Sequence, residues 1–494
     1  MTSMRPVPHA ERSSAATKAV TVLAVVATTV TAAWSGTMAE SSSKLAVILP
    51  VTAIVGAALA VLALTRFKVF VMAMLIMRAS IDLAKLSTGA GGTANQQVVA
   101  RTLDPSSILA VLFIGAAVVW LAAQYRREGR LPGSPLRRAL LMFVAAAAVS
   151  IVGAAHPAVV AQEAMRILSV VLMFVVLEQM MADERVMRQL LFAVYLSLLF
   201  PLAFTSFGFL TGNPLTEEKG GFTRITGPFL QSNTFGRYLM VMIIFGVAIA
   251  PHLDKRFRRP LLGLLALSSV FLLLTYTRTA ILGAVLGLLV VGLVQGKRLL
   301  FGVVVFAICA MLLVPQLSSR FTGLSESSSL MTGPANNSLT WRLGYWTEVL
   351  QLANSNPVTG IGLGMTARQT DEEKQPHNDF IRAYVETGLI GLGAYVAMLI
   401  LLVTMGRRAV RASPRGSFER GVGAGFLGCA LAFIADSVLA NVISNVVTLW
   451  YLFAFAAAAS AVVWQQRRRV EAAGSPVEVR TPPARAYRPL RTGI

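Results

Sequence analysis

Apolar runs of bilayer length recur along almost the whole of this chain, and nothing in it constrains the fold more. Hydrocarbon offers no partner for a backbone N–H or C=O, so only helices and closed β-barrels cross it. The runs reach the roughly 17–25 residues that a helix needs, and the ten-residue alternating segments of transmembrane strands do not occur. Candidate spans fall at 18–34, 44–65, 67–84, 106–124, 137–155, 160–180, 187–207, 233–251, 260–276, 279–296, 298–315, 382–405, 421–438 and 442–464. The expected fold class is all-α: a polytopic integral membrane protein of about 12–14 helices. The lower number applies if 67–84, which carries Arg78 and Asp82, and 160–180, which carries Glu163 and Arg166, are interfacial or re-entrant.

Lys and Arg set the orientation of such a chain. The segments 126–138 (RREGRLPGSPLRR), 254–259 (DKRFRR) and 407–420 (RRAVRASPRGSFER), with the tail from Gln465, are basic. Alternating the spans from an inside N-terminus puts all of them in the cytoplasm, together with most of the 44 Lys and Arg. The expectation is a plasma-membrane protein with both termini cytoplasmic: a cytoplasmic segment 1–17, a transmembrane domain 18–464, and a basic, disordered tail 465–494 rich in Pro and Arg. The first helix reads as retained, because no small-residue cleavage site follows it. The net charge of +21 then belongs to a rim that favours anionic lipid headgroups, and it calls for no nucleic acid. Cys309 and Cys429 both fall in apolar spans, so neither a disulfide framework nor a metal site is indicated.

One outside loop, about 316–381, dwarfs the others, and a loop that long is functional or disordered. Within it WRLGYWTEVLQLA (341–353) has Leu343, Trp346, Leu350 and Ala353 at helical spacing, with Thr340 as its cap. Two tryptophans suit a helix lying at the outer interface.

Arginines gather on the same face, against the topological bias. Arg224 lies in GGFTRITGPFLQSNTFGRY (220–238), Arg278 in the short turn TYTRTA (275–280), and Arg342 heads the loop helix. Arg320, Arg368 and Arg382 are also outside, the first two as ordinary interfacial arginines. A planar guanidinium holds phosphate oxygens two at a time, and Arg278 also stands at a helix N-terminus, where free N–H groups favour anions. His377 precedes a helix capped by Asn378 or Asp379. That helix end and the arginines disfavour the imidazolium, which leaves two readings, a general base or a loop histidine bonded to backbone. Glu386 either pairs with Arg382 four residues earlier or serves a site as a buried carboxylate. Gly388, Gly391 and Gly393 read as close-packing positions. The run 360–364 (GIGLG) follows no strand and faces outside, which argues against a nucleotide loop. Asp-x-Asp, His-x-x-x-His and Gly-x-Ser-x-Gly are missing, so metal-dependent sugar-nucleotide transfer, zinc proteolysis and serine hydrolysis lack their signatures.

TYTRTAILG (275–283), WRLGYW (341–346), NPVTGIGLG (356–364) and HNDFIRAYVETGLIGLGAY (377–395), with RITGPFLQSNTFG (224–236) upstream, resemble the O-antigen ligase and polymerase superfamily in order, spacing and placement of the large loop. MRASIDLAKL (77–86) has the same flavour, and the motifs cover about 220–400. The resemblance implies a metal- and cofactor-free membrane glycosyltransferase of the GT-C type, whose donor is an undecaprenyl-diphosphate-linked oligosaccharide on the extracytoplasmic face. By motif position Arg278 and Arg342 would hold the diphosphate and His377 would deprotonate the acceptor hydroxyl. Arg224, Arg237, Asn233, Asn378 and Glu386 would position substrate. The implied partners are an acceptor glycan or glycolipid, membrane lipids and other polysaccharide assembly proteins. Ligase and polymerase both remain open. The Ala-, Val- and Arg-rich composition points to a GC-rich genome and tilts the reading towards an exopolysaccharide or capsule polymerase. The competing class is a transporter or flippase of lipid-linked glycans.

Overall fold

Helices form where the apolar runs lie, and the sequence marks many of their ends. The structure, a computed structural model, describes residues 44–83, 105–218, 222–229, 231–302, 304 and 339–474. The first helices are α1 (Lys44–Thr65), α2 (Phe67–Met77), α3 (Pro105–Glu128), α4 (Pro135–Val149) and α5 (Pro157–Met180). The last three open on proline, whose fixed φ suits the first turn and whose missing N–H costs nothing there. α6 (Glu184–Leu196) is capped by Asp183, which accepts from the N–H groups of Arg185 and Val186. α7 (Leu199–Leu210) continues it after a joint at Ser197–Leu198. Pro201 explains the joint, since it cannot donate to the Ser197 carbonyl four residues back.

A two-stranded hairpin follows, β1 (Thr216–Glu218) antiparallel to β2 (Thr223–Ile225) with Glu217 opposite Arg224. Beyond it run α8 (Ser232–Ile249), α9 (Lys255–Leu274) and α10 (Arg278–Gln295). After the large loop come α11 (Leu339–Leu352), the short α12 (Thr366–Gln369), α13 (Asp379–Ala412), α14 (Phe418–Leu439) and α15 (Val446–Gly474).

Among the described residues nine helices are long and apolar enough to cross a membrane. The protein is all-α and polytopic, as the apolar runs require. Two expected spans differ. Residues 67–84 supply only the eleven-residue α2, about 16 Å long, which stops before Arg78 and a 3-10 turn, Ile81–Leu83. Arg78 ends the apolar run and sits 6.0 Å from the Trp450 ring centre. α4 has 15 residues and is likewise short. By contrast, 160–180 is a full helix, because Glu163 and Arg166 pair with each other at 2.5 Å. The candidate at 18–34, most of 298–315, the loop part 316–338 and the tail beyond 474 lie outside the described residues.

α8 and α15 form the centre, with 83% and 89% of their spanning windows buried, whereas α3 and α9 bury 22% and 28% and turn apolar faces outward. Phe245 and Phe455 stack at 3.9 Å across the two central helices, and Tyr238 meets Tyr451 at 5.1 Å. Helices in lipid gain nothing from burying apolar surface against each other, so close backbone approach matters more. Gly287 of α10 and Gly428 of α14 provide it, since a Cβ on either would press on the other's carbonyl oxygen.

The two ends of the bundle differ in charge. One end gathers the described basic loops: Arg137 pairs with Glu178 at 2.8 Å, Gln465 donates to the Met181 carbonyl, and Arg469 reaches both Glu184 and Glu419. The opposite end carries β1–β2, α11, the 353–378 loop and the turn between α14 and α15.

Candidate active site

Two helices begin at this second end in the same way. Tyr276 stands one residue before Thr277, the N-cap of α10, and His377 one residue before Asn378, the N-cap of α13. Both have positive φ, +48° and +54°, a region few side chains occupy although His is enriched there. Each chain therefore reverses sharply and presents Arg278 or His377 at a helix mouth. Asn378, only 9% exposed, accepts from the N–H groups of Phe380 and Ile381 at 2.9 and 3.2 Å, which settles the two expected caps in its favour.

The turn before Arg278 is braced from β2. Buried Arg224 donates to the Thr275 carbonyl (2.8 Å), to Asn233 Oδ1 (2.7 Å) and to Thr277 Oγ1 (2.9 Å). Arg224 and Asn233 thus hold the loop on which Arg278 stands. Arg237, one turn further along α8, forms a buried ion pair with Asp436 of α14 at 2.7 Å. These side chains, expected at the substrate, bind the protein's own loops and helices.

Glu386 has the same character. It is fully buried, pairs with Arg382 at 2.9 Å, and accepts from the N–H groups of Gly364 (2.8 Å) and Thr366 (3.4 Å). The expected pair with Arg382 exists, and the same carboxylate organises the loop at Gly364–Thr366. α13 breaks two residues later at Gly388, whose φ of +67° and ψ of −170° are not helical. The break frees carbonyls, and the 357–364 segment takes them: Ile361 N–H donates to Val385, Gly362 N–H to Glu386, and Leu389 N–H returns to Pro357, at 3.0 to 3.1 Å. GIGLG is therefore a strap over a broken membrane helix. Its Gly360 and the helix's Gly388 each lie where a Cβ would strike the other segment's backbone. Of the expected packing glycines, Gly388 makes the break, Gly391 lies against Thr387 with Ala146 of α4 beyond, and Gly393 has nothing within 4 Å.

α11 brings in the second arginine. Tyr345 bonds the Lys374 carbonyl and Thr370, and Trp346 Nε1 donates to the Pro376 carbonyl at 2.6 Å, directly before His377. Arg342 lies one turn before Trp346 on the same face and donates to the Leu439 carbonyl at 3.3 Å. Burial, and then the positive charge of Arg278, hold the Arg342 guanidinium below its ordinary value. A guanidinium partly withdrawn from water and within reach of a like charge is eased by a neighbouring anion.

The turn between α14 and α15 closes the group. Asn441 Nδ2 lies 3.3 Å from His377 Nδ1. Asp379, fully buried, accepts from the N–H groups of Val442 (3.0 Å) and Ile443 (3.1 Å). Arg342 and His377 are thus linked through α11 and this turn, at the end of the bundle where α10 begins with Arg278. Asn441 and Asp436 were not among the residues expected from sequence. Asp436 is an acid inside an apolar span, a signal available in sequence, but Asn441 in ANVISN carries none. Among the described residues no group of three His, Cys, Asp or Glu side chains could hold a metal ion.

Comparison with known proteins agrees with the motifs. Residues 263–396 match the O-antigen ligase family. The segment takes in Arg278, Arg342, His377 and Glu386 and stops before Asn441. The chain is also 29% identical over 192 residues to the probable peptidoglycan glycosyltransferase FtsW of Dichelobacter nodosus, a match that spans 35% of this chain and 45% of that protein's length.

Proposed function

From the O-antigen ligase domain at 263–396, we propose that this protein is a membrane glycosyltransferase that builds surface polysaccharide from undecaprenyl-diphosphate-linked glycan on the extracytoplasmic face. What supports the reading is that α10 begins with Arg278 at the end of the bundle where Arg342 bonds the Leu439 carbonyl and Trp346, one turn along, bonds the Pro376 carbonyl before His377. Two guanidiniums fit a diphosphate, and their charge opposes what develops on the leaving group. His377 takes the proton of the acceptor hydroxyl as its oxygen attacks the anomeric carbon. The C–O bond to the diphosphate breaks, and undecaprenyl diphosphate departs with the electron pair. Arg224, Asn233 and Asn378 hold the loops that present these groups, while Arg237 and Glu386 fix the helices beneath. The basic end then faces the cytoplasm. Polymerisation of exopolysaccharide or capsule, in place of ligation, rests on composition alone.

The test is a reaction with purified protein in liposomes, supplied with undecaprenyl-diphosphate-linked glycan from the producing cells and no energy source. Longer or transferred glycan and stoichiometric undecaprenyl diphosphate are expected. Movement of the lipid across the bilayer with no new glycosidic bond would make the protein a transporter.

A further inference from the structure

The contact between His377 and Asn441 decides which ring nitrogen can act. A neutral imidazole has one N–H and one acceptor nitrogen. With the Asn441 amide nitrogen against Nδ1, Nδ1 must accept, Nε2 carries the hydrogen, and the ring offers no base on that side. The other end of the amide, Oδ1, is buried with no hydrogen-bond partner, so no bond there fixes which way the amide faces. Turning the amide by half a revolution exchanges its oxygen and nitrogen in almost the same volume. Oδ1 then accepts from Nδ1–H, and Nε2 becomes the basic nitrogen.

We propose that Asn441 is a positioning residue for the reaction, holding His377 in the Nδ1–H tautomer so that Nε2 receives the acceptor proton. The turn that carries it is built to be held still. Asp379, one residue past the cap of α13, takes the N–H groups of Val442 and Ile443, Tyr395 of α13 reaches the same carboxylate at 3.4 Å, and Arg342 holds the Leu439 carbonyl. His377 and Arg342 are thereby both tied to one short segment, Leu439–Asn445, that lies outside the family match. Charged groups carried at this end include Arg224 from β2, Arg278 from α10, Arg342 from α11, Arg368 from α12, Asp371, Glu372, Glu373 and Lys374 in the loop before His377, Asp379, Arg382 and Glu386 from α13, and the Arg237–Asp436 pair. An amide adds no charge beside Nδ1, whereas a carboxylate there would favour the imidazolium.

This inference rests on His377 being the base, and the experiment separates the two. Full-length protein in liposomes is given undecaprenyl-diphosphate-linked glycan extracted from the producing cells, and kcat and KM are followed against pH. Asn441→Ala is expected to lower kcat about tenfold or more, with KM for the donor unchanged. Asn441→Asp keeps an acceptor at Nδ1, so it retains kcat at high pH and moves the acid limb of the profile upward by about 1 pH unit or more. A shared loss in both variants with an unmoved limb would mark Asn441 as structural only and overturn the proposal, as would wild-type profiles in both. Should the alanine variant not fold, the pH profile of Asn441→Asp decides between these outcomes by itself. If His377→Ala turns over like wild type, the base itself is wrong. If His377→Ala is inactive and both Asn441 profiles match wild type, only the tautomer proposal falls.

Discussion

Arg342 answers to three neighbours at once: the Leu439 carbonyl, the charge of Arg278, and Trp346, which shares its helix face and ties it to Pro376. Its fork is what the diphosphate uses, so Arg342→Lys keeps the charge and still lowers kcat/KM by about tenfold or more. Arg278→Ala and Arg342→Ala each cost about 10²–10³ in kcat, the loss typical of one oxyanion donor. The double variant costs less than the product of the two, because each single change also relieves repulsion between neighbours. Steady-state turnover on lipid-linked glycan measures all three. Arg278, Arg342 and His377 were legible in sequence through motif and residue chemistry. Asn441 was not, because a short Asn between two spans looks like any turn and its partner stands 64 residues away.

At the scale of elements, the apolar runs predicted the helices well because a bilayer leaves the backbone few choices. They missed the break in α13, which depends on a strap that no periodicity reveals. Gly388→Ala forces a Cβ into the Val358 carbonyl at a φ of +67°. Backbone strain alone makes it about 1–3 kcal/mol less stable, and a thermal melt in detergent should show the drop. Gly393→Ala, with open space around it, leaves the melt unchanged or slightly raised. The ion pair between α8 and α14 joins residues 199 apart in sequence, so no local pattern could announce it. Arg237→Leu strands Asp436 and costs about 3–5 kcal/mol, while the double change to Leu at both positions recovers most of that stability.

The described residues sort their chemistry by end, with basic loops at one and the arginines and His377 at the other. In a Cys309→Ser, Cys429→Ser background, a membrane-impermeant maleimide should label Ser355→Cys in intact cells and Arg415→Cys only after permeabilisation. The reverse pattern would invert the topology and put the site in the cytoplasm. Everything proposed for this end depends on glycosidic bonds being made there with His377 as base. The most direct measurement compares purified wild type with His377→Ala on undecaprenyl-diphosphate-linked glycan, recording donor binding, new glycan and released undecaprenyl diphosphate together. His377→Ala is expected to bind donor as wild type does, through Arg278 and Arg342, and to form neither product. Equal product from His377→Ala would contradict the role of His377 as base.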